Sequence, residues 1–395
     1  MSIMSPIFTR SGFFLTVLLL TAACLRAPLT SIGPVLEDIR LTFSLTATDA
    51  GLLNFIPLMM FALLAPPAAW SGNRFGLEKT LWLAVWLILS GSALRIAGSS
   101  AALWLGTAIL SGGIAAANVL LPPLIKRDFA RHSARYIGLY ACVMSITASL
   151  ASGIAVPLAS LTNAGWFFSL AVWLIPAAIA LAAWLPLLKR ARQRQTTRTP
   201  LAVSTLRSPW RAALGWQVSL FMGLQSLAFY TLIAWFTPWA EAQGFSQFAA
   251  GWLLFLYQIV AIVANLACMR ALKRLADQRA IALLASLAIF TGLCGLYLFP
   301  ALAVFWLIIA GLGAGASLVI SLSLFGLRSG DHHQASRLSG MAQCVGYGLA
   351  ALGPLVFGVL HEHFDSWSAP LLFMIALSLL QVAIAPLAGR NKVIG

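Results

Sequence analysis

Acidic residues are scarce in this 395-residue chain: Asp and Glu together number 10, against 25 Lys and Arg. All ten (Glu37, Asp38, Asp49, Glu78, Asp128, Glu241, Asp277, Asp331, Glu362 and Asp365) fall in polar connections or at the edges of apolar stretches. That excludes a carboxylate relay deep in an apolar interior, and with it the commonest device of proton-driven membrane machines. Charge of either sign is sparse, at 9% of residues where a soluble domain carries about 25%. The five cysteines (Cys24, Cys142, Cys268, Cys294, Cys344) form no CxxC and no metal spacing, and all sit in apolar segments, as small packing residues do. No Ser/His pair, Asp pair or His/Glu ligand set stands within an apolar run, which argues against an intramembrane enzyme. Tails of about ten residues at either end are too short for the soluble module that a sensor or assembly protein would append.

What is present is hydrophobic length. At 61% hydrophobic residues and a mean hydropathy of +0.91, the chain reads as a polytopic membrane protein. Since about 20 apolar residues cross the hydrocarbon, it divides into about twelve transmembrane helices, near 11–36, 49–71, 80–98, 101–125, 136–160, 165–188, 211–240, 248–271, 280–299, 301–327, 338–360 and 367–388. The polar, basic stretch 189–210 splits these six and six. The expected domains are therefore an N-terminal bundle 1–188, a cytoplasmic linker 189–210 and a C-terminal bundle 211–395.

A net charge of +15 raises nucleic acid as a partner, but the placement of the charges argues against it. With the N-terminus inside, nearly every Lys and Arg falls in a cytoplasmic segment, and only Arg40 and Arg95 fall on the other side. This asymmetry reports topology, with both termini cytoplasmic and no nucleic-acid partner. Thr21-Ala22-Ala23-Cys24 resembles a poor lipoprotein box, yet the chain beyond it is multi-spanning, so the first span is read as retained.

An internal repeat runs through both halves. Arg135-x-x-Gly138-x-x-x-Cys142-Val143 recurs as Arg337-x-x-Gly340-x-x-x-Cys344-Val345, a shift of 202 (337 − 135). Arg74 and Lys79 match Arg274 and Arg279, Gly113 matches Gly315, and Phe43-Ser44 matches Phe245-Ser246. The chain reads as an all-α membrane protein of two six-helix bundles related by a parallel repeat.

Arg26 is the candidate anchor for a solute. It stands mid-way along the first apolar span without an acidic neighbour, where a guanidinium costs roughly 2.5 kcal/mol or more to insert and normally faces a protein interior or wet cavity. Pro28, Gly33 and Pro34 follow it and weaken the helical ladder, so the helix is expected to bend there. In the seventh span Tyr230 stands eight residues before Pro238, as Arg26 stands eight before Pro34, which places the two at comparable depth, with Gln225 one to two turns away. Arg offers a fork of donors, and Tyr and Gln add orientation without charge. That set suits a flat, electron-rich solute. Asn118, Trp235 and Gln343 are further candidate contacts; Gln258, Phe229 and Tyr347 are weaker ones, and all of these also fit as interhelical hydrogen bonders or packing residues. His361-Glu362-His363 with Asp365, in the expected outer loop before the last span, is too weak a pattern for a metal site, as is His332-His333.

Across nearly its whole length the chain resembles the major facilitator superfamily. Gly72-Asn73-Arg74-Phe75-Gly76-Leu77-Glu78-Lys79 is similar to the loop between that superfamily's second and third helices, with Asn73 where an acid is usual; Leu275-Ala276-Asp277-Gln278-Arg279 keeps the acid in the second half. Leu25-Arg26-Ala27-Pro28-Leu29-Thr30-Ser31-Ile32-Gly33-Pro34 resembles the first-helix signature of the cyanate and 2-nitroimidazole transporter branch, supported by Asn118 to Pro122 leading into Leu124 to Phe129, and by Gly223 to Tyr230 with Ala234-Trp235. The resemblance implies alternating-access transport of a small organic or inorganic solute, cyanate-like or nitroimidazole-like, across the bacterial inner membrane. Export of hydrophobic or cationic drugs is the alternative that the aromatic content keeps open. Arg74, Lys79, Arg127, Asp128, Arg135, Asp277, Arg279 and Arg337 are expected in gating or in setting topology. Coupling is left open among uniport, exchange and proton symport through a rim relay at Glu37, Asp38 or Asp49. The expected partners are a small-molecule substrate, the lipid bilayer and, in the last scheme, protons, for a monomer with no metal and no cofactor.

Overall fold

The computed structural model describes residues 6–45, 47–196, 206–272 and 274–395. Lys273 and 197–205 of the expected linker lie outside the described residues, as do the side chains of Arg10, Glu37 and 189–196. All regular structure among the described residues is helical: α1 (Pro6–Ala23), α2 (Ala27–Thr30), α3 (Leu36–Phe43), α4 (Ala47–Phe75), α5 (Leu77–Arg95), α6 (Ser100–Asp128), α7 (Ser133–Ser160), α8 (Trp166–Ala171), α9 (Leu174–Thr196), α10 (Ala213–Ala242), α11 (Gln247–Leu272), α12 (Arg279–Leu298), α13 (Ala303–Leu327), α14 (His332–Phe364) and α15 (Ser368–Gly389), with short 3-10 turns between some of them. Among the described residues twelve segments are long and apolar enough to span a bilayer, the first running through α1 and α2 to Val35. The outer surface carries the large apolar side chains, Leu63, Ile179, Leu284 and Leu355 among them, while Thr107, Ser111, Ser317 and Gln381 are buried. This inverted pattern is what lipid as a solvent selects.

One boundary departs from expectation. The eleventh span was expected over 338–360, but α14 starts at His332, where the Asp331 carboxylate accepts from Gln334 N at 2.7 Å as an N-cap, and it runs on to Phe364. His361-Glu362-His363 is therefore the last turn of a helix and not a loop; Asp365 closes it at φ 45°, a left-handed cap that Asp tolerates. His361 stacks on Trp367, with ring centroids 4.0 Å apart.

Contacts group the chain into two compact units. The first holds the residues up to Leu121 and those from Val143 to the linker; the second holds Pro122–Cys142 and Leu206–Gly395. Each contains a hairpin of two helices in backbone contact. In the first, a methyl on Gly113 of α6 would lie 2.5 Å from the Ala84 carbonyl oxygen and 2.9 Å from Ile88 Cγ1 of α5; in the second, one on Gly313 of α13 would lie 2.5 Å from the Ala285 oxygen and 2.8 Å from Ile289 Cγ1 of α12. Gly91 meets the Gly106 carbonyl (2.8 Å) as Gly292 meets that of Trp306 (2.9 Å). The repeat shift is thus 201 on α5 and α12 (285 − 84, 289 − 88, 292 − 91) and 200 on α6 and α13 (313 − 113, 306 − 106). Gly113 pairs with Gly313 and not with Gly315, which packs on Ala261 instead. Three glycines at alternate positions give a sequence comparison no register. Only contact with the facing helix fixes it.

Candidate functional site

The first span is interrupted because its prolines remove donors. Pro28 cannot donate to the Cys24 carbonyl, nor Pro34 to that of Thr30. The chain leaves α1 after Ala23, turns through 24–26, forms the single turn α2, and passes through a 3-10 turn at Gly33–Val35 into α3. Neighbouring helices satisfy the break from the side: Ser152 Oγ donates to the Thr30 carbonyl (3.0 Å), and Thr30 Oγ1 donates to that of Ala148 (3.1 Å). Below the break the fully buried Trp184 donates from Nε1 to Thr21 Oγ1 at 2.9 Å. Arg26 is the N-cap of α2, at φ −115° and ψ −41°, and its carbonyl accepts from Leu29 N and Thr30 N, each at 3.0 Å. Its side chain is half-buried. A guanidinium is thereby mounted on a discontinuity within a membrane span, on backbone held by α7.

A second arginine, counted in the sequence only as an outer charge, meets the same break. Arg95, in the last turn of α5, has a relative exposure of 0%, and its Nη1 donates to the Pro28 carbonyl at 2.7 Å. The signal that could have found it is the row Gly91, Ser92, Arg95: two small residues that press one face of α5 against α6, with the charge continuing that face.

In the second unit, Gln225 is buried, and its Nε2 donates to Ser226 Oγ at 2.7 Å. Gln343 is buried and donates to Ser339 Oγ at 3.0 Å. Tyr230 is half-buried with its ring edge-on to Phe229, centroids 5.4 Å apart. Trp235 donates from Nε1 to the Pro354 carbonyl at 2.9 Å and stacks on Phe357, so its polar handle is used within the unit and only a ring face is left for a solute. Close by, Thr231, Leu232, Trp235, Leu293, Leu296 and Met374 help line a small, largely apolar pocket of about 20 Å³. Asn118, by contrast, lies buried in α6 of the first unit.

The expected gating residues pair close to home. Arg127 holds its own neighbour Asp128 through two bonds of 2.8 Å, and Arg279 holds Asp277, two residues back, at 2.7 Å. These contacts keep the Asp277 carboxyl below its ordinary range, chiefly through the side-chain bond from Arg279. Arg74 is exposed and lies over the rings of Trp70 and Phe75, 5.1 and 5.7 Å from their centroids, while Lys79 and Arg135 are exposed and Arg337 is half-buried. Two cations not singled out in the sequence do more. Lys126 donates to the Gly326 carbonyl (2.5 Å) and to that of Ser329, closing the C-terminal end of α13. Buried Arg328 donates to the carbonyls of Ala388 (3.1 Å) and Gly389 (2.8 Å) and to Gln278 Oε1 (2.5 Å), clipping the start of α12 to the end of α15. Burial pushes the Arg328 guanidinium down to about 10, against a smaller upward pull from Asp277.

Comparison with known proteins places this architecture. The family model described as the Major Facilitator Superfamily matches residues 18–354 and 240–392. Over 375 residues the chain is 42% identical to the 2-nitroimidazole transporter of Escherichia coli (strain K12), covering 95% of each protein. It is 29% identical over 381 residues to the cyanate transport protein CynX of the same organism, covering 94% of this chain and 97% of that one. Among solved structures, the proton:xylose symporter XylE bound to 6-bromo-6-deoxy-D-glucose shares the fold with a TM-score of 0.74 at 13% identity, with 97% of each chain covered.

Proposed function

The chain belongs to the major facilitator superfamily, and we propose that it is a secondary carrier moving a small, flat, electron-rich solute of the nitroimidazole or cyanate kind across the bacterial inner membrane by alternating access. The observation that carries this reading is Arg26: a half-buried guanidinium on the turn that interrupts a membrane span. A broken helix exposes backbone groups and allows local movement, and a fixed charge there selects acceptors such as a nitro group or a cyanate anion. The 2-nitroimidazole and cyanate transporters among its relatives support the substrate class. Asn118 in the first unit, and Gln225, Tyr230, Gln343 and the ring face of Trp235 in the second, are proposed as further solute contacts. We place the division into halves at 189–210 and both termini in the cytoplasm; an enzyme reporter active only in the cytoplasm, fused after Gly395, checks that orientation.

The test is solute-induced thermal stabilisation and proteoliposome uptake with 2-nitroimidazole, cyanate, small carboxylates and cationic drugs, for the wild type, Arg26→Lys and Arg26→Ala. Losing a charge-assisted fork is worth about 1.5–3 kcal/mol, or roughly 10- to 150-fold in affinity. Arg26→Ala is expected to lose stabilisation by the anion or nitro compound while remaining folded, and Arg26→Lys to recover part of it. Stabilisation by cationic drugs that survives Arg26→Ala would overturn the reading in favour of multidrug efflux.

A further inference from the structure

Buried donors without partners gather at the break in the first span. Arg95 spends Nη1 on the Pro28 carbonyl, but its Nε and Nη2 are buried and have no hydrogen-bond partner. The hydroxyls of Ser92, one helical turn before Arg95, and of Ser31, one turn past Pro28, are buried and unpartnered, and so is Trp173 Nε1. Hydroxyls in such helices normally bond back to their own backbone, as Ser90 does to Leu87 O (3.3 Å), Thr107 to Leu103 O (2.7 Å) and Ser111 to Thr107 O (2.6 Å). Ser92 and Ser31 do not. The bond that Arg95 makes goes to a neutral carbonyl and not to a carboxylate.

The repeat gives these four residues a common address. The shift of 201 that aligns α5 with α12 carries Ser92 to Leu293 and Arg95 to Leu296. The same shift aligns Trp166 with Trp367 ahead of the sixth and twelfth spans and carries Trp173 to Met374. The spacing shared by Arg26 with Pro34 and Tyr230 with Pro238, a shift of 204, carries Ser31 to Trp235. Leu293, Leu296, Met374 and Trp235 all line the apolar cavity of the second unit. By these shifts, the first unit carries a guanidinium, two hydroxyls and an indole N–H at the positions where the second lines its apolar pocket with Leu293, Leu296, Trp235 and Met374.

We propose that Arg95, Ser92, Ser31 and Trp173 form a binding site for a small inorganic anion of halide size, inside the first unit at the bend of the first span. The set consists of donors, one of them permanently charged, and holds no carboxylate; a cation or a neutral apolar guest would leave those donors unmet. A guanidinium removed from water inside a membrane protein is met by a counter-charge or by backbone carbonyls; Arg95 has one carbonyl, and an anion would supply charge together with acceptors for Nε and Nη2. The bound ion would brace the Pro28 carbonyl contact and so hold the bend. This site is distinct from the Arg26 solute site and does not depend on it.

Purified full-length protein in detergent, unfolded thermally in potassium chloride, potassium bromide or potassium gluconate at equal ionic strength, tests it. Chloride and bromide are expected to raise Tm in a saturable manner over gluconate, as a ligand of the native state does. Arg95→Leu, which installs the residue of the second unit, is expected to abolish that difference. Should Arg95→Leu fail to fold, Ser92→Ala and Trp173→Phe each remove one donor and are expected to weaken the apparent halide affinity by about tenfold. Arg26→Ala is expected to keep the halide effect. Equal Tm in chloride and gluconate for the wild type, a halide effect that persists in Arg95→Leu or is unchanged in both single-donor variants, or one lost in Arg26→Ala would each overturn the site.

Discussion

The α5–α6 and α12–α13 hairpins share the close contacts at Gly91 and Gly292 and at Gly113 and Gly313, yet one buries Arg95 and the other Leu296 at the same step, at 0% and 1% exposure. Close helix approach is set by small residues where backbones meet, since Gly113 and Gly313 each face a carbonyl oxygen across the hairpin. The space beside the hairpin is not constrained in that way. The second unit lines it with Leu293, Leu296 and Met374, and the 201-residue shift puts Ser92, Arg95 and Trp173 at those positions in the first. A duplicated fold thus keeps its contacts and changes the chemistry of its voids, which is where two similar halves acquire different work.

The strongest way to break this comparison is to exchange the residues. Leu296→Arg places a guanidinium in the apolar cavity without the first unit's hydroxyls, and should destabilise the protein by about 3 kcal/mol or more, as an unpaired buried charge does. Thermal unfolding in chloride and in gluconate reads it; a Tm equal to that of the wild type would show that the second unit accepts a charge there and that the contrast is superficial. Next come the glycines. Gly113→Ala and Gly313→Ala each press a methyl onto a backbone oxygen at 2.5 Å, and should cost about 1–3 kcal/mol of overpacking apiece. Nearly equal losses of Tm would confirm the 200-residue pairing. A loss at Gly113 matched by Gly315→Ala and not by Gly313→Ala would restore the register that the sequence suggested.

Arg328 sharpens the comparison from another side. Like Arg95 it is a buried arginine, but its bonds to Ala388 O, Gly389 O and Gln278 Oε1 distribute its charge over protein acceptors. Arg328→Met should cost about 1–3 kcal/mol, because it strands those acceptors, and should leave any difference between chloride and gluconate untouched. Saturation of the donors, and not burial alone, then separates a structural clip from a binding site.

These pairs also show what could be read in the sequence. The twelve spans were legible because hydropathy is a local property, and the family could be named because the blocks around Arg26, Asn118 and Gln225 are contiguous. Arg95 was not legible: hydropathy gives depth along a helix but not the face, so a charge at the end of a span looks like a loop charge. The use of the Trp235 indole is a tertiary fact, since the Pro354 carbonyl that takes its N–H lies 119 residues away. His361 to His363 were misplaced into a loop because nothing local stops α14 before Asp365 turns it. Lys126 was legible as a basic residue, but its task of closing α13 depends on a helix end some 200 residues onward.

The smallest expected effect concerns the two loops that follow the second and eighth spans. In the first, Asn73 stands where the second has Asp277; Arg74 lies over Trp70 and Phe75, and Arg279 instead holds Asp277. Asp277→Asn makes the second loop resemble the first. The Asp277 carboxyl is held below the ordinary carboxylate range, so the contribution of the pair is present above that range and fades as pH falls through the lowered value. Both partners are solvent-exposed, so water and salt screen the pair and its share of stability is slight. Tm at neutral pH should barely differ between Asp277→Asn and the wild type, and the small gap should close at high salt and at low pH. A large drop at neutral pH would mean that Asp277 holds more than its neighbour, and that this loop, unlike the one carrying Asn73, is part of a charged latch.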